Sequence, residues 1–359
     1  MFDPLSAAIN AAMSQTSVAT EPVPDARARP RRKFTIASVF NVFGPFLILA
    51  FVTGFFATIM PAEVRENFFS FYNFKSILNQ TVIVAIGALG MTMIIVSGGI
   101  DLSVGSVIAL TSVLAAWLVT QGQSVELAFS VAIACGALIG ALNGTIIAGF
   151  GMTPFIVTLG MLGIARGLAK LRADNQTVNP PDAALPAVEF FMADPDPDNP
   201  VSWFVSPGIA LTINLAILMT IFMNRTVFGR YIFAIGSNEA TARLCGIRTR
   251  LVKTGIYAIA GLFFGLAGVM QFSRLRQGDP STAIGTELDI IAAVVIGGAS
   301  LNGGTGSILG SMIGALTMSV LRAGSIQSDW PNYMQEIIIG VVIILAVGLD
   351  KWRQSRVKV

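Results

Sequence analysis

The feature that most limits how this chain can fold is a succession of about ten long apolar segments. An α-helix needs roughly 20 apolar residues to cross the hydrocarbon core of a bilayer. Only 12% of the residues are charged, whereas soluble domains carry about 25%. The sequence therefore predicts an all-α polytopic membrane protein with about ten transmembrane helices. The segments lie near residues 39–60, 77–97, 103–120, 125–149, 153–171, 205–223, 251–271, 286–301, 305–322 and 333–349.

The segment at 286–301 is short, so both a full crossing and a re-entrant hairpin stay open for it. Basic residues predict the orientation, because loops rich in Lys and Arg stay in the cytoplasm. We expect residues 1–35 to be a flexible cytoplasmic tail, which carries a basic cluster of Arg27, Arg29, Arg31, Arg32 and Lys33. Counting from a cytoplasmic start places the basic 225–250 loop and the 351–359 tail inside and the acidic, proline-rich 172–204 loop outside. The transmembrane domain then covers residues 36–350, with both termini cytoplasmic.

Composition excludes several kinds of function. The chain has no histidine and two cysteines, which excludes a histidine-based triad and a zinc site, and it has no Gly-Lys pair and hence no Walker-type nucleotide site. The net charge of +3 comes from basic residues that flank the apolar segments, so it does not indicate nucleic-acid binding. We expect no catalytic residue, no metal, no cofactor and no enzymatic activity.

The 225–250 loop contains a stretch typical of a short amphipathic helix. Ser237 or Asn238 can cap its first amides, and Gly246 can end it. Glu239 suits the positive first turn. Such a helix can lie in the membrane interface or insert into a groove on a cytoplasmic partner, and the residues leave both readings open. The apolar positions at helical spacing are Ala240, Leu244 and Ile247.

Two similar strings predict breaks within helices. Residues 98–103 (GGIDLS) contain Asp101, followed by Ser103, which can cap the next helix. Ionisable residues at membrane depth are usually functional, and broken helices expose backbone groups to a solute. The alternative is a short cytoplasmic hairpin with Asp101 as its solvated cap. Residues 297–304 (GGASLNGG) repeat the pattern with Ser300 and Asn302, which suggests an internal duplication.

Other polar and small residues predict packing and pathway positions. Asn143 can bond across helices or line a pathway, Thr153 can cap the helix that Pro154 opens, and Arg166 can extend to the surface. Glycines repeat every fourth residue, which lets helices approach closely. No Asp/Glu/His relay lies within the spans, so the lining suits a neutral polyhydroxylated solute better than an ion. The glycine ladders are Gly136, Gly140, Gly144; Gly261, Gly265; and Gly306, Gly310, Gly314.

Several strings, in one order across residues 36–350, resemble the permease subunit of ATP-binding-cassette importers. The resemblance is to the ribose/xylose-type sugar uptake class within the branched-chain amino acid/sugar permease superfamily. It implies a type II importer-like bundle in the bacterial inner membrane. The strings are residues 98–106 (GGIDLSVGS), 143–144 (NG), 153–160 (TPFIVTLG), 166–167 (RG), 229–230 (GR), 234–242 (AIGSNEATA), 246–247 (GI) and 291–298 (IAAVVIGG).

The resemblance implies partners and roles. Two permease copies, expected here as a homodimer, form the pathway, a cytoplasmic ATPase supplies the energy, and a periplasmic protein delivers the sugar. The expected coupling residues are Ser237, Asn238, Glu239, Ala240, Ala242, Arg243 and Gly246, with Glu239 and Arg243 pairing with the ATPase rather than with each other. The expected pathway residues are Asp101, Ser103, Asn143, Thr153, Ser300 and Asn302. The long 172–204 loop departs from the class.

The solute stays open at this stage. We expect a pentose- or hexose-like neutral sugar, and related permeases carry nucleosides, furanose signals or branched-chain amino acids. An ion-coupled secondary sugar transporter is the remaining alternative from another class.

Overall fold

Fourteen α-helices account for most of the residues that the computed structural model describes, which are 36–192 and 206–357. The predicted 1–35 tail lies outside these residues. The chain divides into two units, residues 1–39 and 40–359, and the description concerns the second. The helices are α1 Ile36–Ile59, α2 Ala62–Phe68, α3 Phe71–Val96, α4 Val104–Thr120, α5 Val125–Phe150, α6 Pro154–Arg172, α7 Leu185–Glu189, α8 Pro207–Arg225, α9 Val227–Ser237, α10 Glu239–Leu244, α11 Thr249–Leu275, α12 Thr286–Ile296, α13 Ile308–Gln327 and α14 Asn332–Val357.

Six of the described helices are long and apolar enough to cross a membrane: α3, α5, α6, α8, α11 and α13. Shorter apolar helical stretches occur at Phe43–Ile59, Val104–Thr120, Val227–Ser237 and Tyr333–Leu345. The predicted segment at 286–301 forms the 11-residue α12, about 16 Å long and half of the hydrocarbon thickness. It therefore cannot cross by itself, while the total of ten crossings stays a prediction.

Helix α3 lies at the centre of the bundle. In its most apolar stretch 89% of the residues are buried inside the protein, against 17% in α6. Residues such as Ile86, Leu89 and Met93 have no solvent exposure. Other helices therefore enclose α3, whereas most of the surface of α6 is not covered by the rest of the described chain.

The glycine ladders bring α5 and α11 into backbone contact, which agrees with the predicted close approach of helices at these glycines. A methyl group added at Gly140 would lie 2.1 Å from the carbonyl oxygen of Tyr257, and one added at Gly136 would lie 2.5 Å from that of Gly261. No side chain fits in such a space, so glycine is required for this approach. The third ladder acts in the same way, because a methyl group at Gly314 would lie 1.9 Å from the oxygen of Ala293.

The bundle has two ends that differ in what covers them. The end with α10 carries the C-terminus of α3 and the N-terminus of α11; we call it the α10 end. Part of the 172–204 segment covers the opposite end, where Val178 and Gly278 exchange two backbone hydrogen bonds of 2.8 Å and the Ser273 hydroxyl donates to the Val188 carbonyl. This segment contains a 3₁₀ turn and α7, and its acidic residues from 193 onward lie outside the described residues.

Two boundaries differ from the prediction. Helix α14 continues to Val357, so most of the predicted 351–359 tail is helical. Helix α9 occupies the first half of the loop predicted at 225–250, with Ile232 and Ile235 buried on one face. Its charged Arg230 made this segment read as a loop, although its apolar residues recur at helical spacing.

Candidate functional site

Helix α10 forms with the ends that the sequence predicts. The Asn238 side chain accepts a hydrogen bond of 2.9 Å from the Thr241 amide, and Gly246 ends the turn at φ +85°. Asn238 rather than Ser237 is therefore the cap. Two residues of the predicted apolar face point away from the protein, because Ala240 is exposed and Leu244 is 88% exposed, whereas Ile247 packs against the core.

Opposite that face, α10 is held to the bundle by Ala242 and Glu239. Ala242 is buried, and the Glu239 carboxylate accepts from Lys253 Nζ of α11 at 2.6 Å and from Arg243 at 3.5 Å. Glu239 and Arg243 thus contact each other within this chain, and their pairing with the ATPase stays a prediction. The Glu239–Lys253 contact is the closer of the two and lies in the less exposed position, so it fixes α10 on α11.

The junction between α9 and α10 contacts the two helix breaks through backbone. Gly236 lies so close to the end of α3 that an added methyl group would be 1.8 Å from the Val96 oxygen and 2.6 Å from the Gly304 nitrogen. Gly304 donates to that same Val96 oxygen at 2.8 Å. Any shift of α10 that moves Gly236 must therefore also displace the end of α3 or the loop before α13.

The first break runs from residue 97 to 103 and buries Asp101. This residue is 1% exposed, which excludes the solvated hairpin cap. Its carboxylate accepts from the Ser103 amide at 2.7 Å and the Ser103 hydroxyl at 2.6 Å, and Asn143 Nδ2 of α5 donates to the Ser103 hydroxyl at 3.2 Å. We expected the Ser103 side chain to cap α4. It makes no capping bond and instead belongs to this network.

Two further residues that the sequence analysis missed lie at this break. The Thr158 hydroxyl of α6 accepts from the Leu102 amide at 3.2 Å and lies 3.3 Å from the Ile100 carbonyl. The buried Tyr257 hydroxyl of α11 points toward Gly99, where an added methyl group would lie 2.5 Å from it. A single hydroxyl in an apolar segment carries little signal, and only packing brings these two to the break.

Three buried polar atoms around this break have no hydrogen-bond partner among the described residues. They are Asn143 Oδ1, Tyr257 Oη and Ser106 Oγ. Buried polar groups are normally paired, and leaving one unpaired costs about 1–3 kcal/mol. Such a site can accept a hydroxylated solute or water.

The second break, residues 297–307, has a related local geometry. Gly298 and Gly98 have φ values of +89° and +84°, and each ends a helix with a bond to the carbonyl three residues before it. Ser300 Oγ accepts from the Asn302 amide at 3.2 Å, which parallels the Asp101–Ser103 turn. The similarity of the two strings therefore extends to backbone conformation. Of the two predicted pathway residues in this break, Ser300 is buried and Asn302 is exposed.

The remaining predicted positions lie apart from the break network. Thr153 is exposed at the N-terminus of α6 and makes no capping bond with its side chain. Arg166 does not extend to the surface but donates to the carbonyls of Pro280 and Thr282 at 2.8 and 2.6 Å. It thereby holds the 276–285 loop against the bundle.

The comparison with protein families is decisive for the class. The family model described as "Branched-chain amino acid transport system / permease component" matches residues 73–347. The chain belongs to this family. The permease is accordingly a multi-pass inner-membrane protein of an import system and not an enzyme, as the residues predict.

Curated relatives cover most of the permease. It is 38% identical to the ribose import permease protein RbsC of Escherichia coli (strain K12) over 82% of this chain and 90% of that protein. It is 35% identical to the fructose import permease protein FrcC of Rhizobium meliloti over 80% and 79%. The L-arabinose ABC transporter permease protein AraH of Azospirillum brasilense is 31% identical over 94% and 96%. No solved structure matches the chain at a significant level.

Proposed function

We propose that the permease is the transmembrane subunit of an ATP-binding-cassette importer that carries a neutral monosaccharide. The names of its relatives, which import ribose, fructose and L-arabinose, support the sugar class. The amides and hydroxyls at the first break fit such a solute, because each can donate to or accept from a sugar hydroxyl. Two copies would enclose the pathway, and a periplasmic protein would deliver the sugar.

The coupling to the ATPase is proposed at α10, and the exposure of Leu244 is the single observation that carries it. A short helix that buries Ala242 and holds Glu239 by an ion pair, yet exposes its leucine at 88%, has an unused apolar face. An apolar side chain that an amphipathic helix exposes can insert into a hydrophobic groove on a partner protein.

The contacts of Gly236 suggest how ATP would be used. Closure of the ATPase would move α10, and through Gly236 and Gly304 this movement would displace the ends of α3 and of the second break. The permease then needs only two packings of similar free energy, inward-open and outward-open, between which the partner selects. No covalent chemistry is required of this chain.

The experiment compares Leu244→Ser with a matched leucine at the opposite end, Leu171→Ser, which is 78% exposed. The complex of permease, ATPase and sugar-binding protein is reconstituted in liposomes, and sugar-stimulated ATP hydrolysis and uptake of labelled sugar are measured. Leu244→Ser should reduce both by about tenfold or more, since central apolar anchors contribute about 2 kcal/mol or more. Leu171→Ser should reduce neither.

Two further variants act on the position of α10 rather than on its face. Glu239→Gln weakens the ion pair with Lys253, and Gly246→Ala strains the left-handed end of the helix. Both should uncouple hydrolysis from sugar while the permease stays folded in detergent. Full sugar-stimulated hydrolysis in all three α10 variants would contradict the coupling role.

Competition distinguishes the remaining solutes. A nucleoside, a furanose signal or L-leucine that blocks labelled-sugar uptake better than sugars would assign the permease to that solute. Uptake into vesicles without the ATPase, driven by an ion gradient, would instead indicate a secondary transporter.

A further inference from the structure

A polar cavity lies at the end of the bundle opposite α10. Its volume is about 300 Å³, the lower end of the range for small-molecule sites. Helices α3, α11, α12 and α13 and the 276–285 loop form its walls. The polar side chains that matter most are Gln80 of α3, Gln271 of α11, Asp289 of α12 and Arg322 of α13.

Asp289 is the residue that points to a ligand. It is 4% exposed, and one carboxylate oxygen, Oδ2, pairs with Arg322 at 2.5 Å. The other oxygen, Oδ1, is buried and has no hydrogen-bond partner among the described residues. A buried carboxylate oxygen without a donor is costly, so a site that retains one has a use for it.

The charges and bonding groups of the cavity select the class of ligand. Asp289 pairs with Arg322, and Arg274 lines the same cavity, so one carboxylate and two guanidinium groups lie beside its amides and hydroxyls. Gln271 Nε2 donates to the Thr282 hydroxyl at 2.6 Å and keeps its amide oxygen as an acceptor. Acceptors and donors thus converge from several helices, the arrangement that a polyhydroxylated molecule fills.

The loop that closes one side of the cavity is held in place. Arg166 of α6 bonds to the carbonyls of Pro280 and Thr282, as described above, and the Asp279 carboxylate accepts from the Ser281 amide at 2.8 Å. The position of Thr282 is therefore determined by bonds on both sides. A pre-formed wall reduces the conformational entropy that the protein loses when a small ligand binds.

We propose that this cavity is a binding site for a neutral monosaccharide, in which Gln271 and the Asp289–Arg322 pair supply hydrogen bonds to the sugar hydroxyls. It would be the first site that the sugar meets within the membrane domain, before the Asp101 break. This inference rests on the proposed sugar specificity and on the cytoplasmic position of the α10 end, but not on the coupling role of α10.

The test is a protection experiment on the full-length permease in membranes, without ATPase or binding protein. Cys135 and Cys245 are replaced by serine, and Gln80→Cys introduces a thiol in the cavity wall. Modification by 2-aminoethyl methanethiosulfonate is followed with increasing D-ribose, D-fructose or L-arabinose. At least one sugar should slow the reaction about tenfold. The control is Gln123→Cys, an exposed position at the same end, which no sugar should protect.

Second-site variants assign the contacts. Asp289→Asn and Gln271→Ala, each added to Gln80→Cys, should raise the protecting sugar concentration about tenfold, the effect of losing a hydrogen bond of about 1.4 kcal/mol. Glu189→Gln breaks another ion pair, with Arg276, that lies outside the cavity, and should leave protection unchanged. The amount of each variant in the membrane shows that it folds.

The outcomes separate the two proposals. Protection by sugar together with full activity of the Leu244→Ser complex would refute the coupling role alone. Absence of protection by any of the three sugars would overturn the cavity site even if the Leu244 result supports coupling. Protection by L-leucine but not by sugars would overturn both the site's ligand and the proposed sugar class.

Discussion

Replacement of Gly236 by alanine tests the mechanical link between α10 and the helix breaks. The added methyl group would have to move from 1.8 Å to at least 3.0 Å from the Val96 oxygen and from 2.6 Å to the same limit from the Gly304 nitrogen. These two atoms bond to each other at 2.8 Å, and both belong to backbone, so neither can rotate away.

The cost follows from this geometry. Overpacking a tight contact costs about 1–3 kcal/mol, and loss of the Gly304–Val96 hydrogen bond adds about 0.5–1.5 kcal/mol. We therefore expect about 2–4 kcal/mol of destabilisation, which displaces α9 and α10 from the end of α3. A displacement of that free-energy cost should lower coupled transport by at least about tenfold.

Two assays check this expectation. The apparent melting temperature of purified permease in lipid–detergent micelles should fall, and uptake of labelled sugar by the reconstituted complex should fall with it. The control is Gly163→Ala on α6, where an added methyl group meets nothing within 4 Å and helix propensity favours alanine by about 1 kcal/mol. Gly236→Ala with unchanged melting temperature and uptake would refute the reasoning.

Three further variants have defined outcomes. Asp101→Ala leaves the Ser103 amide and hydroxyl buried without their acceptor and should lower the stability measured by thermal unfolding by about 2–4 kcal/mol, whereas Asp101→Asn, which keeps one acceptor, should cost less. Arg166→Gln frees the 276–285 loop, so trypsin should cleave that loop faster than in wild type; equal rates would contradict the anchoring role. Gly140→Val places its side chain in the Tyr257 backbone and should abolish accumulation in the membrane, while Gly160→Val, which faces open space, should accumulate normally.

Features that depend on neighbouring residues were predictable from the sequence. The ends of α10 follow from Asn238 and Gly246, and the capacity of α5 and of α11 for close packing follows from glycines every fourth residue. The break around Asp101 follows from its glycine pair. Each of these depends on the geometry of a few consecutive residues, which is the same in any fold.

Features that join distant residues could not be predicted. Lys253 reaches Glu239 across 14 positions, and Arg322 reaches Asp289 across 33. The sequence shows that Glu239 and Arg243 are charged and can pair with a partner protein. Their spacing gives no indication that Lys253 contacts Glu239. Likewise Arg166 could have reached solvent, and only the position of the 276–285 loop gave it two carbonyls instead.

The sequence by itself determined that this chain is a membrane-embedded helical permease, where its helices break and where its short amphipathic helix lies. Only the tertiary structure decided that Asp101 is buried, that the two breaks touch at Gly236, and that Asp289 lies at the wall of a polar cavity. The reason is that periodicity and capping record the conformation of a segment, whereas burial and long-range pairing depend on which faces of the segments pack together. That choice minimises the free energy of the whole chain, and no short segment carries it alone.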